Sequence, residues 1–260
     1  MACITLRNVT KTYPDGFCAL KNINLDIAAG EFIAILGPSG AGKSTLLRTI
    51  NALDPASSGE ISIDGEVLTP RNRRRVRARI GMVFQQFNLV DRLNVMTNVL
   101  IGRLAERGWL SSLFYLFPQS DFQIAEAALR EVDLLGKAWS RADKLSGGQQ
   151  QRVGIARALA QQPKLILADE PVASLDPKAS EDVLALLRKI CTEKGITVVV
   201  NLHQVEYARQ YADRIIALNA GSVMFDGSPE HLGPSKLAVI YGITTPLESR
   251  HADKLALAHA

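Results

Sequence analysis

Cysteine is scarce in this chain: Cys3, Cys18 and Cys191 are odd in number and far apart across 260 residues. That excludes a disulfide framework and a cysteine-based metal site, and it predicts reduced thiols in a cytosolic protein. Long apolar runs are missing too. The richest stretch, 109–117, is interrupted by Ser111 and Ser112 and falls well short of the roughly 20 residues a membrane-spanning helix needs. The chain does not open with a basic stretch followed by an apolar one, so no secretory leader is expected. Charge is nearly balanced. A formal +4 and a pI near 9.0 suit an anionic ligand, a membrane face or nucleic acid and select none of them. There is no internal repeat and no low-complexity linker. What remains is 47% apolar residues, enough for one large globular unit or two small ones.

The apolar pattern predicts a strand over 3–9, a turn at Tyr13-Pro14-Asp15-Gly16, and a second alternating stretch from Phe17 to Ile27. A buried strand at 32–36 and a hairpin over 60–67 turning at Asp64-Gly65 follow. Arg71, Arg73, Arg74, Arg75, Arg77 and Arg79 crowd the next segment. They read as a solvated helix or as an anion-binding or membrane-facing patch, and charge runs usually face water. After a short strand ending at Gln85, residues 94–104, 121–136 and 150–161 have helical spacing. The aromatic stretch 109–118 either contacts a partner or packs that helical region. Strands at 164–169 and 196–201 alternate with helices at 178–191 and 204–212, and 213–227 closes as a hairpin. Strand–helix alternation implies a parallel sheet covered by helices.

The chemistry starts at Gly37-Pro38-Ser39-Gly40-Ala41-Gly42-Lys43-Ser44-Thr45. It lies between a buried strand and a segment of helical spacing, the context that gives a G-x-x-x-x-G-K-[ST] loop its meaning. Glycines let backbone N–H groups turn inward around phosphate oxygens. The helix beginning near Gly42 adds its positive end. Lys43 reaches the β- and γ-phosphates, and Ser44 offers a hydroxyl to Mg²⁺. Alone, this loop fits a kinase, a GTPase, a helicase or a transport ATPase.

Two further elements narrow the choice. Asp169 and Glu170 end a buried strand, where ligands sit in open α/β sheets. Asp169 is the candidate Mg²⁺ ligand and Glu170 the candidate general base toward water. Leu145-Ser146-Gly147-Gly148-Gln149 opens a helix and makes a second phosphate-ready N-terminus. In a head-to-tail pair, Ser146 and Gly148 of one copy would close over the γ-phosphate held by Lys43 of the other.

This combination resembles the ATP-binding cassette family, with Ser146, Gly147, Gly148 and Gln149 as its signature turn. The resemblance covers about residues 3–232. It implies that Tyr13 stacks on adenine, that Gln85 senses Mg²⁺ and the γ-phosphate, that Asp176 crosses the dimer seam, and that His203 contacts the γ-phosphate. His203 also follows the strand 196–201 and so emerges at the same sheet edge as Lys43 and Asp169. The fold implied is α/β: a P-loop NTPase core with a mostly parallel sheet, an N-terminal antiparallel β subdomain and an inserted helical subdomain at about 88–161. All of this lies in one domain, 1–244, followed by a loosely ordered tail, 245–260.

The chain lacks the coiled-coil insertions and second cassette of repair and translation members, so it resembles the ATPase subunit of a bacterial importer. Phe84–Val90, Arg92–Val99, the 109–118 insertion and Asn201–Ala208 are similar to the phosphonate-type group; phosphite and hypophosphite importers share this look. Leu202 and Gln204 replace the Thr and Asp that flank the switch histidine in many cassettes. The resemblance implies ATP and Mg²⁺ as cofactors. It also implies a second copy as partner, membrane permease subunits, a periplasmic substrate-binding protein acting indirectly, and a place on the cytoplasmic face of the inner membrane. Nucleic acid is not an expected partner. Uptake of another polar solute such as an amino acid, a regulatory or nucleic-acid-dependent ATPase using the arginine run, and a phosphotransferase remain as rivals.

Overall fold

The computed structural model describes residues 2–106 and 117–242. The expectations for aromatic residues 109–116 and for the tail after 244 lie outside these. The strands of the described residues are β1 (Ala2–Thr12), β2 (Cys18–Ala28), β3 (Phe32–Leu36), β4 (Ser58–Ile63), β5 (Glu66–Val67), β6 (Ile80–Val83), β7 (Leu165–Ala168), β8 (Thr197–Asn201), β9 (Arg214–Asn219) and β10 (Ser222–Gly227). The helices are α1 (Lys43–Ile50), α2 (Arg73–Arg77), α3 (Val95–Leu100), α4 (Gln119–Glu131), α5 (Gly147–Ala160), α6 (Pro177–Lys194), α7 (Val205–Tyr211) and α8 (Pro234–Tyr241).

Two sheets result. An antiparallel sheet has the order β2–β1–β4–β5, and a larger one the order β10–β9–β3–β8–β7–β6. In the larger sheet all strands but β10 run parallel. Its side chains alternate between two cores, as the period of two requires. Ile33, Ile35, Leu165, Leu167, Val199, Ile216 and Leu218 pack against α1 and the antiparallel sheet. Phe32, Leu36, Ile166, Val198, Val200 and Ile215 pack against Val99, Leu129, Val153 and Leu187 of the helices on the opposite face. Burial on both faces explains why these strands are apolar throughout. Parallel order also places the C-terminal ends of β3, β8, β7 and β6 on one edge, where such sheets bind ligands.

Several segments differ from the sequence expectation. The 94–104 stretch is helical only to Leu100 and then tightens into a 3₁₀ turn over 101–106. There the chain runs so close to α5 that a side chain on Gly102 would meet the Arg157 carbonyl oxygen at 2.3 Å. The 121–136 stretch ends as α-helix at Glu131, before Asp133 takes a left-handed backbone with φ 58°. Four of the six arginines fall in the five-residue α2, in which only Val76 is buried, and all six, with Arg71 and Arg79 flanking it, are exposed. The hairpin at Asp64-Gly65 forms with positive φ at both residues, as a tight two-residue turn needs.

An internal ion pair ties the 3₁₀ turn to α4 and α5. Arg103 Nε donates to Asp121 Oδ1 at 3.1 Å and its Nη1 donates to the Ala160 carbonyl at 2.9 Å. The two side chains are 8% and 0% exposed. Asp121→Ala would leave the guanidinium buried without its counter-charge. The expected loss is about 3–5 kcal/mol, measured as urea-unfolding free energy, and the double replacement Arg103→Met/Asp121→Leu should lose less.

Candidate functional site

The loop after β3 is shaped by close backbone approach. Gly37 has φ 143°, and a Cβ there would lie 2.1 Å from the Leu218 carbonyl oxygen at the end of β9. Gly42 caps α1 in the left-handed region with φ 99°, and its Cβ would lie 2.5 Å from the Ala19 carbonyl oxygen. An L-residue at either position meets both clash and strain. The loop therefore closes over the start of α1 and carries Lys43 into the interior at 5% exposure. Lys43 Nζ donates to the carbonyl oxygens of Gly37 at 2.9 Å and Pro38 at 3.1 Å. Burial pushes its pKa down, with the negative fields of Glu170 and Asp169 opposing. A cleft of about 220 Å³ opens here, lined by Ser39 to Thr45, Glu170, His203, Phe17 and Ala19.

The carboxylates come from the end of β7. Asp169 Oδ1 accepts from Ser44 Oγ at 2.8 Å and from Asn201 Nδ2 at 2.7 Å. Glu170 sits beside the cleft with φ 51°, a left-handed conformation that is unusual for so long a side chain. His203 follows β8 and places Nε2 2.7 Å from Glu170 Oε1. Lys43, Ser44, Asp169, Glu170 and His203 thus converge from three neighbouring strand ends.

The donor set suits Mg²⁺. Ser44 and Asp169 offer hard oxygen atoms in contact with each other, as a metal held jointly with phosphates requires. Among the described residues no group of three or more His, Cys, Asp or Glu side chains is placed to hold a metal. A cation there would draw its remaining ligands from phosphate oxygens and water.

The remaining candidates are placed elsewhere. Gln85 lies exposed on the loop after β6. Two side chains of α5 hold that loop: Gln151 Nε2 donates to the Phe84 carbonyl at 3.3 Å, and the Arg157 guanidinium donates to the carbonyls of Phe87 and Asn88. Burial lowers the pKa of Arg157. Tyr13 is half-buried beside α1. Its hydroxyl donates to Asp54 Oδ2 at 2.6 Å and lies 3.4 Å from Thr45 Oγ1, while Lys11 sits 5.1 Å from its ring centre. Ser146 caps α5 in a reciprocal box: its Oγ accepts from Gln149 N, and Gln149 Oε1 accepts from Ser146 N. Asp176 caps α6 by accepting from Ala179 N at 2.9 Å. The two caps adjoin, since side chains added at Gly147 and Gly148 would meet Leu175 and Ala179 at 3.3 and 3.1 Å. Ser146–Gln149, Asp176, Gln85 and Tyr13 are not part of the lining of the cleft around Lys43.

Sequence reasoning missed several residues. Phe17 is 55% exposed at the cleft rim; a large aromatic directly after a Pro-Asp-Gly turn was its signal. Asn201 ends a valine-rich buried strand at the ligand edge, and a polar residue in such a run was equally visible. Gln151, Arg157 and Asp54 carried no local signal, because their partners lie far away in sequence.

Comparison with known proteins places this geometry. A family profile described as "ABC transporter" matches residues 20–173. The phosphonates import ATP-binding protein of Thiobacillus denitrificans is 59% identical over 260 residues, covering 100% of both chains. Its counterpart in Bacillus anthracis is 54% identical over 242 residues, 92% of this chain and 94% of that one. Among solved structures, a dimeric ATP-binding cassette in a post-hydrolysis state bound to ADP and Pi is 42% identical with a TM-score of 0.75, covering 87% of this chain and 98% of that one. A Clostridium perfringens subunit that is part of an ABC transporter complex is 28% identical with a TM-score of 0.80, covering 97% and 99%.

A polyphosphate bound at Lys43 would set its anion beside a buried ammonium, so ligand should stabilise the fold. ATP at about one hundred times its Kd should add about 2.7 kcal/mol, seen as a rise of several degrees in Tm. Lys43→Ala should abolish most of that rise; an undiminished shift would contradict the phosphate role.

Proposed function

The chain belongs to the ABC transporter family, and from that premise we propose that it energises a bacterial importer of phosphonate or a related phosphorus oxyanion. The family's ATP-binding and hydrolysing chemistry is the general activity; the solute is the inference. It is supported by relatives named as phosphonates import ATP-binding proteins, which cover 92% to 100% of this chain. No helix of the described residues is long and apolar enough to cross a membrane. In this proposal separate permease subunits form the membrane path, this subunit docks on their cytoplasmic face, and a periplasmic binding protein delivers solute.

One observation carries the mechanism. Lys43, Ser44, Glu170 and His203 line one cleft and Asp169 bonds Ser44 beside it, whereas the capped turn Ser146–Gln149 lies outside it. In the proposed mechanism a second copy, arranged head to tail, brings its Ser146, Gly147, Gly148 and Gln149 to the triphosphate. A dimeric cassette among the similar structures supports that arrangement. Backbone N–H groups at Gly37 to Thr45 and the Lys43 ammonium bind the phosphates. Ser44 and Asp169, with Gln85 from the loop after β6, would hold Mg²⁺, which neutralises charge on the β- and γ-oxygens when bound. Tyr13 serves as the base-stacking ring. Glu170 takes the proton of the attacking water, and His203 orients Glu170 and approaches the γ-phosphate. Asp176 crosses the seam between copies. Hydrolysis breaks the link between the β- and γ-phosphates, giving ADP, phosphate and a proton, so the nucleotide no longer joins the two copies and the pair reopens. The helical segment at about 88–161, inserted in a single 1–244 cassette, carries the signature turn.

Glu170→Gln should lower ATP turnover by about 10²–10⁴-fold while ATP affinity and nucleotide-dependent dimerisation persist; retained turnover would remove Glu170 from this role. For the solute, a strain lacking this chain should fail to grow on phosphonate as sole phosphorus source and recover when it is restored. Growth loss confined to phosphite would redirect the assignment to that oxyanion.

A further inference from the structure

Asn201 is fully buried at the end of β8, two residues before His203. The hydrolytic roles above do not use it. A carboxylate only accepts hydrogen bonds, so the amide nitrogen is the atom that must face Asp169. It donates to Oδ1 at 2.7 Å, and Ser44 Oγ donates to the same atom at 2.8 Å. Two donors from separate elements, β8 and α1, therefore fix one oxygen of Asp169. Asp169 Oδ2 takes no hydrogen bond from the described residues. The other end of the amide, Asn201 Oδ1, is buried and takes no hydrogen bond from the described residues. An unsatisfied buried acceptor costs about 1–3 kcal/mol, and a fourth valine after Val198-Val199-Val200 would avoid that cost. The amide is thus explained by its one bond, not by packing.

We propose that Asn201 is a positioning residue for the divalent cation: its amide holds Oδ1 of Asp169 so that Oδ2 stays available to the metal. The inference rests on the assignment of Mg²⁺ to Ser44 and Asp169. Ser44 can keep its proton on Asp169 while its oxygen turns to the cation, and Asn201 then maintains the carboxylate plane from the opposite element. Groups that orient a ligating carboxylate in this way typically change metal affinity by about 10–100-fold when removed.

The test compares the full chain with Asn201→Leu, a near-isostere, and Asn201→Val, which suits the strand. The Kd of a non-hydrolysable ATP analogue is measured by calorimetry in EDTA and in Mg²⁺, and Mn²⁺ binding to the analogue-loaded protein is followed by electron paramagnetic resonance. The expected result is a metal-free Kd within about twofold of wild type, with the metal-dependent gain in affinity reduced about tenfold and Mn²⁺ held more weakly. An unchanged gain in both variants would overturn the role of Asn201 and leave the metal assignment standing. A metal-free Kd that weakens as much as the metal-loaded one would mean general damage and also overturn it. Absence of any metal-dependent gain in wild type would overturn the Mg²⁺ assignment and the inference with it.

Discussion

Lys43 is a cation held at 5% exposure, and the hydrogen bonds it makes go to two carbonyl oxygens of the loop it follows. A buried ammonium is unfavourable unless something balances it. The surroundings are arranged around that problem. Gly37 and Gly42 let the main chain wrap closely enough for its carbonyls to serve as temporary partners. Asp169 and Glu170 lower the local potential from the end of β7. The parallel sheet makes this possible, because it delivers three strand ends to one edge with little intervening chain.

The sheet was legible from sequence because its strands are buried on both faces and are bounded by glycine-bearing turns. The hairpins at 60–67 and 213–227 announced themselves through turn chemistry. Helix limits were less legible, because tertiary contacts moved them. Gly102 and Arg103 draw the chain against α5 and α4, and Asp133 ends α4 through a backbone conformation that no apolar pattern encodes. Helix α8 escaped notice although Pro234 and Gly242 bracket it, since only Ile240 of its residues is buried and its amphipathic signal is weak.

The site was legible to a different degree. Residue types at fixed spacing identified the loop, the carboxylates and the histidine, and the fold brings those five side chains together. The pattern could not say which contacts hold them. Ser44 and Asp169 are 125 residues apart, and Asn201 joins them from a third strand. Tyr13 is another instance: its place in a turn was clear, but its tether to Asp54 and the exposed Phe17 near it depend on how β1, β2 and α1 meet.

Helix α5 is a mechanical link between its capping turn and the loop after β6. It is capped by Ser146 at one end, bonds the Phe84 carbonyl through Gln151 near that cap, and holds the carbonyls of Phe87 and Asn88 through Arg157 further along. A 14-residue helix is a rod about 21 Å long, stiff on the scale of these contacts. A tilt imposed at its capped end must therefore appear as a displacement of the loop after β6. The loop could stay still only by breaking its bonds to Gln151 and the half-buried Arg157. The molecule in this sense has a gear ratio, set by where along the rod the bonds attach.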